Sequence, residues 1–326
     1  VIKNQWYAVL DAKELKKNKP AGVTRFSEKL VFWRDENDKI SCIHDQCCHR
    51  GASLSAGRIS NHHVECPFHG FQYDSTGKVT TIPANGKNKK VPGNFKVKSY
   101  LAKEAYGFIW VWYSERKSDV PEIPFFEELK TGFSYGGFQE QWGVHYTRAI
   151  ENQLDVVHLP FVHKTTIGRG NRKLVNGPVV KWKDNLMTFY VMNEEDRGQT
   201  PQDPDTIEDY EKLFSLQLQM PNLWQNRISE QVRIVAAFAP IDEENTMIYI
   251  RFYQRFVKIP VISQLVNRIS NVSNKIILHQ DRRVVITQLP KKSELVMGEN
   301  LIQGDLPIIK FRNRREELKR RAKEKE

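Results

Sequence analysis

The chain has 326 residues, 40% hydrophobic and 27% charged, with a net charge of +11 and four cysteines. That composition is ordinary for a globular protein long enough for two cores, and so few cysteines exclude a disulfide-dense secreted fold. The opening VIKNQWYAVL lacks a basic region followed by an apolar run, and no stretch nears the ~18 apolar residues of a membrane helix, so a reducing, cytoplasmic setting is expected.

From residue 1 to about 113 the pattern is short strands broken by turn chemistry, as in LVFWRDENDKISCI with its DENDK turn and FQYDSTGKVTTI with its STGK turn. This predicts a small antiparallel β domain, closed by a buried strand in YGFIWVWY. Inside it lie CCHRG at 47–51 and CPFHG at 66–70. Taking Cys47, each loop offers one thiolate, one imidazole and a glycine. A zinc site with two Cys and two His commonly takes both cysteines from one knuckle and both histidines from another. One of each per loop suits a site with two unlike ends, such as a [2Fe–2S] cluster with thiolates on one iron and imidazoles on the other. Gly51 and Gly70 let backbone N–H groups approach the sulfides.

Cys47-x-His49 followed by Cys66-x-x-His69 resembles the Rieske iron–sulfur motif, with His49-Arg50-Gly51 and Pro67-Phe68-His69-Gly70 matching its flanks. The resemblance assigns the cluster to Cys47, His49, Cys66 and His69. Cys48 stands where that family commonly has Pro, and it is expected to pack as a small apolar side chain, as is Cys42.

SERKSDVPEIPFFEEL, polar and then Pro-interrupted, predicts a linker reaching about residue 124. Next comes AIENQLDVVHLPFVH, residues 149–163. The spacing of Asn152, Asp155 and His158 predicts one face of a helix that Pro160 ends near His158, so that the chain turns and brings His163 back beside it. Two imidazoles and a carboxylate form the facial triad of non-heme Fe(II) oxygenases. Asp155 is one candidate carboxylate, or it accepts a hydrogen bond from an imidazole instead.

VVKWKDNLMTFYVM, VRIVAAFAPI and TMIYIRFYQRF read as long strands, the last two joined by a DEEN turn. The polar, Pro-bearing stretch around 194–210 reads as a mobile excursion and a possible lid. KIILHQDRRVVITQ has helical apolar spacing that sets Asp281 within an apolar stripe, where a carboxylate needs a partner such as iron; His279 falls on another face. The last 17 residues hold nine Lys/Arg and four Glu, +5 of the +11. They predict a solvated terminal helix or fray rather than a nucleic-acid arm. His62 and His63 read as part of a surface turn, and His44 and His145 have no spaced partner.

Asn152-x-x-Asp155-x-x-His158-x-x-x-x-His163 resembles the second motif of the Rieske non-heme iron oxygenases, and HQDRRVVITQ their late helix, with Asp281 matching its iron ligand. The resemblance covers nearly the whole chain. It implies an α+β terminal oxygenase (alpha) subunit: an all-β Rieske domain over 1–115, a catalytic domain over 125–309 with an antiparallel sheet packed with helices (helix-grip, START-like), and a basic tail over 310–326. It further implies a [2Fe–2S] cluster and mononuclear Fe(II) held by His158, His163 and Asp281. Asp155 would be the link from His158 to a neighbouring subunit's cluster in a homotrimer, with Asn152 beside it. Electrons would come from NAD(P)H through a flavin reductase or ferredoxin, and O2 would monooxygenate a small organic substrate by hydroxylation or oxidative demethylation. No nucleic-acid or membrane partner is implied. A cis-dihydroxylating dioxygenase, an electron carrier without oxygenase activity and a zinc-stabilised nucleic-acid binder are the alternatives.

Overall fold

The computed structural model describes residues 1–86, 89–116 and 119–324. Lys117 and Ser118 of the expected linker, and Lys325 and Glu326 of the basic tail, lie outside the described residues. The chain divides into two compact units, Val1–Pro124 with Pro240–Asp242, and Phe125–Ala239 with Glu243–Glu326.

The first unit is built of strands β1 (Trp6–Asp11), β2 (Ala21–Arg25), β3 (Glu28–Arg34), β4 (Ile40–His44), β5 (Arg58–Ser60), β6 (His63–Glu65), β7 (Gln72–Tyr73), β8 (Val79–Thr81), β9 (Ser99–Ala105) and β10 (Phe108–Trp112). They form a six-stranded sheet ordered β1-β10-β9-β4-β3-β2 and a four-stranded sheet β5-β6-β7-β8. The expected DENDK and STGK hairpins are the antiparallel pairs β3–β4 and β7–β8. Strand alternation serves two cores. Leu30 and Phe32 of β3 join one with Tyr7, Tyr100 and Ile109, whereas Val31 and Trp33 join a second with Leu54, Val64 and Tyr73. Cys47 and Cys66 belong to that second core.

The second unit contains β11 (Ser134–Trp142), helix α1 (Tyr146–Leu154), the single turn α2 (Leu159–Val162), β12 (Leu174–Lys183), β13 (Leu186–Glu194), β14 (Phe214–Gln219), β15 (Leu223–Ser229), β16 (Val232–Pro240), β17 (Thr246–Gln254), α3 (Pro260–Val285) and α4 (Leu306–Lys323). One seven-stranded sheet runs β11-β17-β16-β15-β14-β13-β12. Helix α3 packs on β11 and β17, where Gly136 is required: a Cβ there would lie 2.8 Å from Asn267 Cβ. No helix among the described residues is long and apolar enough to cross a membrane.

Three expectations change. VVKWKDNLMTFYVM is a hairpin rather than one strand: Lys183 pairs with Leu186 across Asp184-Asn185, and Asp184 takes the left-handed φ of 53° that tight turns favour. The stretch around 194–210 is tied to β12, because Gly177 N–H donates to Gln202 O at 3.1 Å and Gln202 N–H to Asn176 Oδ1 at 2.9 Å. The basic tail is a packed helix. Arg312 and Arg315 are buried, and Arg312 donates to Glu151 Oε1 at 2.7 Å and Oε2 at 3.0 Å and pairs with Glu299 at 2.7 Å. Arg148 donates to the same two glutamates at 3.1 and 2.9 Å, completing a buried network between α1 and α4. Each guanidinium thus finds the carboxylates that burial of a charge demands.

Candidate metal centres

The two Cys/His loops of the first unit are near copies. Gly51 N–H donates to Cys47 O at 2.9 Å and Gly70 N–H to Cys66 O at 3.0 Å. Both glycines have left-handed φ, 77° and 71°, which closes each turn at no steric cost. Cys47 N–H and Cys66 N–H donate outward to Ala52 O and Phe71 O, at 2.8 Å each. The loops therefore present both thiols from the buried side and both imidazoles from the exposed side. The His49 and His69 rings lie 4.7 Å apart, with His49 stacked on Phe71 at 4.9 Å and His69 beside Phe68 at 3.9 Å. Burial pushes the Cys66 thiol up, and the neighbouring Cys47 adds to this. Two buried thiols facing one way and two imidazoles the other fit the unlike ends of a Rieske cluster.

Cys42 is buried as expected, but Cys48 is exposed and does not pack as an apolar side chain. The Tyr73 hydroxyl donates towards Cys47 Sγ at 3.1 Å and Cys48 Sγ at 3.2 Å, and accepts from Cys48 N–H at 3.0 Å. Tyr73 was not foreseen from the sequence.

In the second unit α1 ends earlier than its spacing predicts. Asp155 is its C-cap, with φ −73° and ψ 118°, so Asn152, Asp155 and His158 do not share one continuous helix. The cause is local: Asp155 Oδ1 accepts from Val157 N–H at 2.7 Å and His158 N–H at 3.2 Å, a turn that competes with the helical ladder. His158 then caps α2, with Pro160 in its first turn and His163 at its end. Gly168 holds this turn shut, because its N–H donates to His163 O at 3.0 Å and a Cβ there would lie 1.9 Å from Leu159 O.

His158, His163 and Asp281 converge, with one donor atom from each lying within 4.8 Å of the others. Asp281 Oδ1 stands 2.9 Å from His163 Nε2 and 3.5 Å from His158 Nε2. Although the nearer distance suits a hydrogen bond, Oδ1 makes none and is buried. The three groups converge on one centre, which is the arrangement a shared cation needs. His163 Nδ1 lies 2.8 Å from Gln280 Oε1, which also accepts from Thr166 Oγ1 at 2.8 Å. That oxygen requires Nδ1 to carry the hydrogen and leaves Nε2 as a lone-pair donor. Gln280 and Thr166 were missed by spacing arguments; the adjacency of Gln280 to Asp281 was the one available signal.

Asp155 Oδ2 lies 3.7 Å from His158 Nδ1, too far for a hydrogen bond, and this nitrogen has no hydrogen-bond partner among the described residues. Burial alone would lower the His158 pKa, but the Asp155 and Asp281 carboxylates outweigh it and hold it up at about 9. Burial likewise raises Asp281, and His158 and His163 reverse that, leaving it below the usual carboxylate range. Asp155 is lowered too, against burial, by the His158 side chain and the Val157 and His158 N–H groups. Asn152 Nδ2 is buried with no hydrogen-bond partner among the described residues. A cavity of about 990 Å³ reaches Asp155 and Leu159 and is walled by Arg169, Asn193, Arg197 and Phe214. This is the size of small-molecule sites.

A β unit with paired Cys/His loops, followed by a sheet-and-helix unit with a two-His, one-carboxylate centre, defines an oxygenase of the Rieske type. The Rieske [2Fe-2S] domain family matches residues 5–100 and the vanillate O-demethylase oxygenase C-terminal domain family residues 142–321; the chain belongs to the Rieske oxygenases. Among its relatives, methylxanthine N1-demethylase NdmA of Pseudomonas putida is 27% identical over 337 residues, 99% of this chain and 91% of that protein. Protein TIC 55, chloroplastic, of Pisum sativum is 33% identical over 168 residues, 50% of this chain but only 30% of that protein's length. The structure of Pseudomonas putida CBB5 NdmA with caffeine superposes with a TM-score of 0.80 at 25% identity, covering 98% of this chain and 92% of that one. Dicamba monooxygenase bound to dicamba shares the fold, with a TM-score of 0.74 at 19% identity and 98% coverage of both chains.

Proposed function

We propose that this chain is the terminal oxygenase component of a multicomponent monooxygenase that hydroxylates or oxidatively demethylates a small organic molecule. Its electrons would come from NAD(P)H through a flavin reductase or ferredoxin. The observation that carries the reading is the convergence of His158, His163 and the buried Asp281 in a chain that also holds the Rieske loops. The near-complete match to a protein named as a demethylase supports the reaction class over ring dihydroxylation.

Cys47, His49, Cys66 and His69 would hold the [2Fe–2S] cluster, and His158, His163 and Asp281 the mononuclear iron. When bound, the cluster supplies one-electron storage and the iron supplies O2 activation. Gln280 fixes the tautomer and ring plane of His163 by accepting its Nδ1–H. Asp155, whose Oδ2 faces His158 Nδ1 at 3.7 Å, would in a homotrimer lead towards a cluster histidine of a neighbouring copy, with Asn152 supporting that turn. By domain, 1–115 would carry the cluster and 125–309 the iron and substrate.

The test is a substrate screen with purified protein, NADH and a generic reductase, scoring substrate-dependent O2 uptake together with formaldehyde release. Uptake with formaldehyde identifies demethylation, and uptake without it hydroxylation. Iron-replete protein whose mononuclear site stays empty while its cluster is filled would overturn the oxygenase reading in favour of an electron carrier.

A further inference from the structure

The side chain of Tyr73 is fully buried in the core that also takes Cys47. Its hydroxyl carries one hydrogen, and its oxygen can also accept. Two sulfurs share that hydrogen, Cys47 Sγ at 3.1 Å and Cys48 Sγ at 3.2 Å, while the Cys48 N–H donates to the oxygen at 3.0 Å. Cys48 therefore touches this hydroxyl twice, once through its backbone and once through its thiol. Proline, with neither N–H nor thiol, could make neither contact.

We infer that Cys48, although no ligand, is a positioning residue for the iron–sulfur cluster: it decides how much of the Tyr73 hydrogen reaches Cys47. The inference rests on the cluster proposed at Cys47. Its two contacts act in opposite directions. Donation from the Cys48 N–H occupies the outer side of the hydroxyl oxygen and leaves the hydrogen to the sulfurs, and a hydroxyl that accepts is the stronger donor. The Cys48 thiol draws part of that hydrogen away. One electron added to the cluster makes the Cys47 sulfur more negative, so a hydrogen bond to that sulfur favours the reduced form. Whatever bond the hydrogen makes to Cys48 in the oxidised form has to be given up in exchange. The thiol thus lowers the reduction potential and the N–H raises it.

The test is the midpoint potential of the cluster-loaded protein, titrated with dithionite and redox mediators and followed by visible absorption and EPR. Cys48→Ala keeps the N–H and removes the competing sulfur, so the constant for taking up one electron rises about two- to tenfold, the worth of one hydrogen bond. Cys48→Pro removes both contacts, and its potential falls below that of Cys48→Ala. In a Tyr73→Phe background the two variants become equal, because no hydroxyl is left to share. Should Tyr73→Phe fail to hold its cluster, Cys48→Ser decides: its hydroxyl restores an acceptor, and its potential lies below that of Cys48→Ala. A wild-type potential in Cys48→Ala, a Pro variant no lower than the Ala variant, a Ser variant equal to it, or differences that persist in Tyr73→Phe overturn the inference. So does a change in melting temperature with every potential left in place, which would make Cys48 merely structural. Wild-type protein without a Rieske-type EPR signal overturns the cluster reading itself, whereas a normal signal with unmoved potentials overturns this inference alone.

Discussion

Gln280 shows how one uncharged side chain can orient an imidazole. Its Oε1 lies 2.8 Å from His163 Nδ1 and is itself held by Thr166. Gln280→Leu therefore lowers the affinity for divalent iron about 10- to 100-fold, as loss of such outer partners does. Metal titration followed by iron analysis checks this, with the visible cluster spectrum unchanged as the control. His158 gives the second expectation at this scale. With its pKa held at about 9 in the metal-free protein, the imidazole carries a proton at neutral pH that a cation must displace. Iron uptake should release about one proton, and affinity should climb with pH until about 9 and then level; calorimetry in buffers of different ionisation enthalpy measures it. The same raised pKa stabilises the metal-free fold at and below 6.5, and that contribution is lost as pH rises through 9. The Cys/His loops were legible because every donor is fixed by its own short loop. Gln280 was not, since its partner lies 117 positions away.

At the scale of elements, the sequence pattern identified strands and hairpins best where turn residues punctuate them. It failed where periodicity ran on past a local competitor. Apolar and polar residues around Asp155 keep helical spacing, yet the Asp155 carboxylate bonds to two backbone N–H groups and ends α1 at Leu154. Asp184 ends a strand by adopting left-handed φ, a choice that β-rich flanks conceal. The turn between His158 and His163 depends on Gly168, pressed against Leu159 O. Gly168→Ala must open it, at about 1–3 kcal/mol in stability. The variant is expected to keep its cluster spectrum and lose mononuclear iron, read by metal analysis against chemical denaturation.

Across the molecule, the Cys/His loops and the convergence of His158, His163 and Asp281 were legible because each announces itself by spacing. The fate of the tail was not. Arg312 reads as one cation among nine in the last 17 residues, and its partner Glu151 lies 161 positions earlier. Arg312→Ala leaves Glu151 and Glu299 with less compensation inside the second unit, and about 3–5 kcal/mol of stability should go with it. Urea unfolding followed by tryptophan fluorescence checks this; Arg320→Ala, on the exposed side of α4, is the control and should shift stability by less than about 0.5 kcal/mol.

The outward thiol of Cys48 has a practical sequel. Cys42, Cys47 and Cys66 are all buried, so a maleimide dye offered to the folded protein should attach at one place. That place adjoins the loop proposed to grip the iron–sulfur pair, whose visible absorption would quench the dye. Labelled molecules would then brighten as they shed their inorganic sulfide, a readout of cofactor loss that needs neither substrate nor reductase.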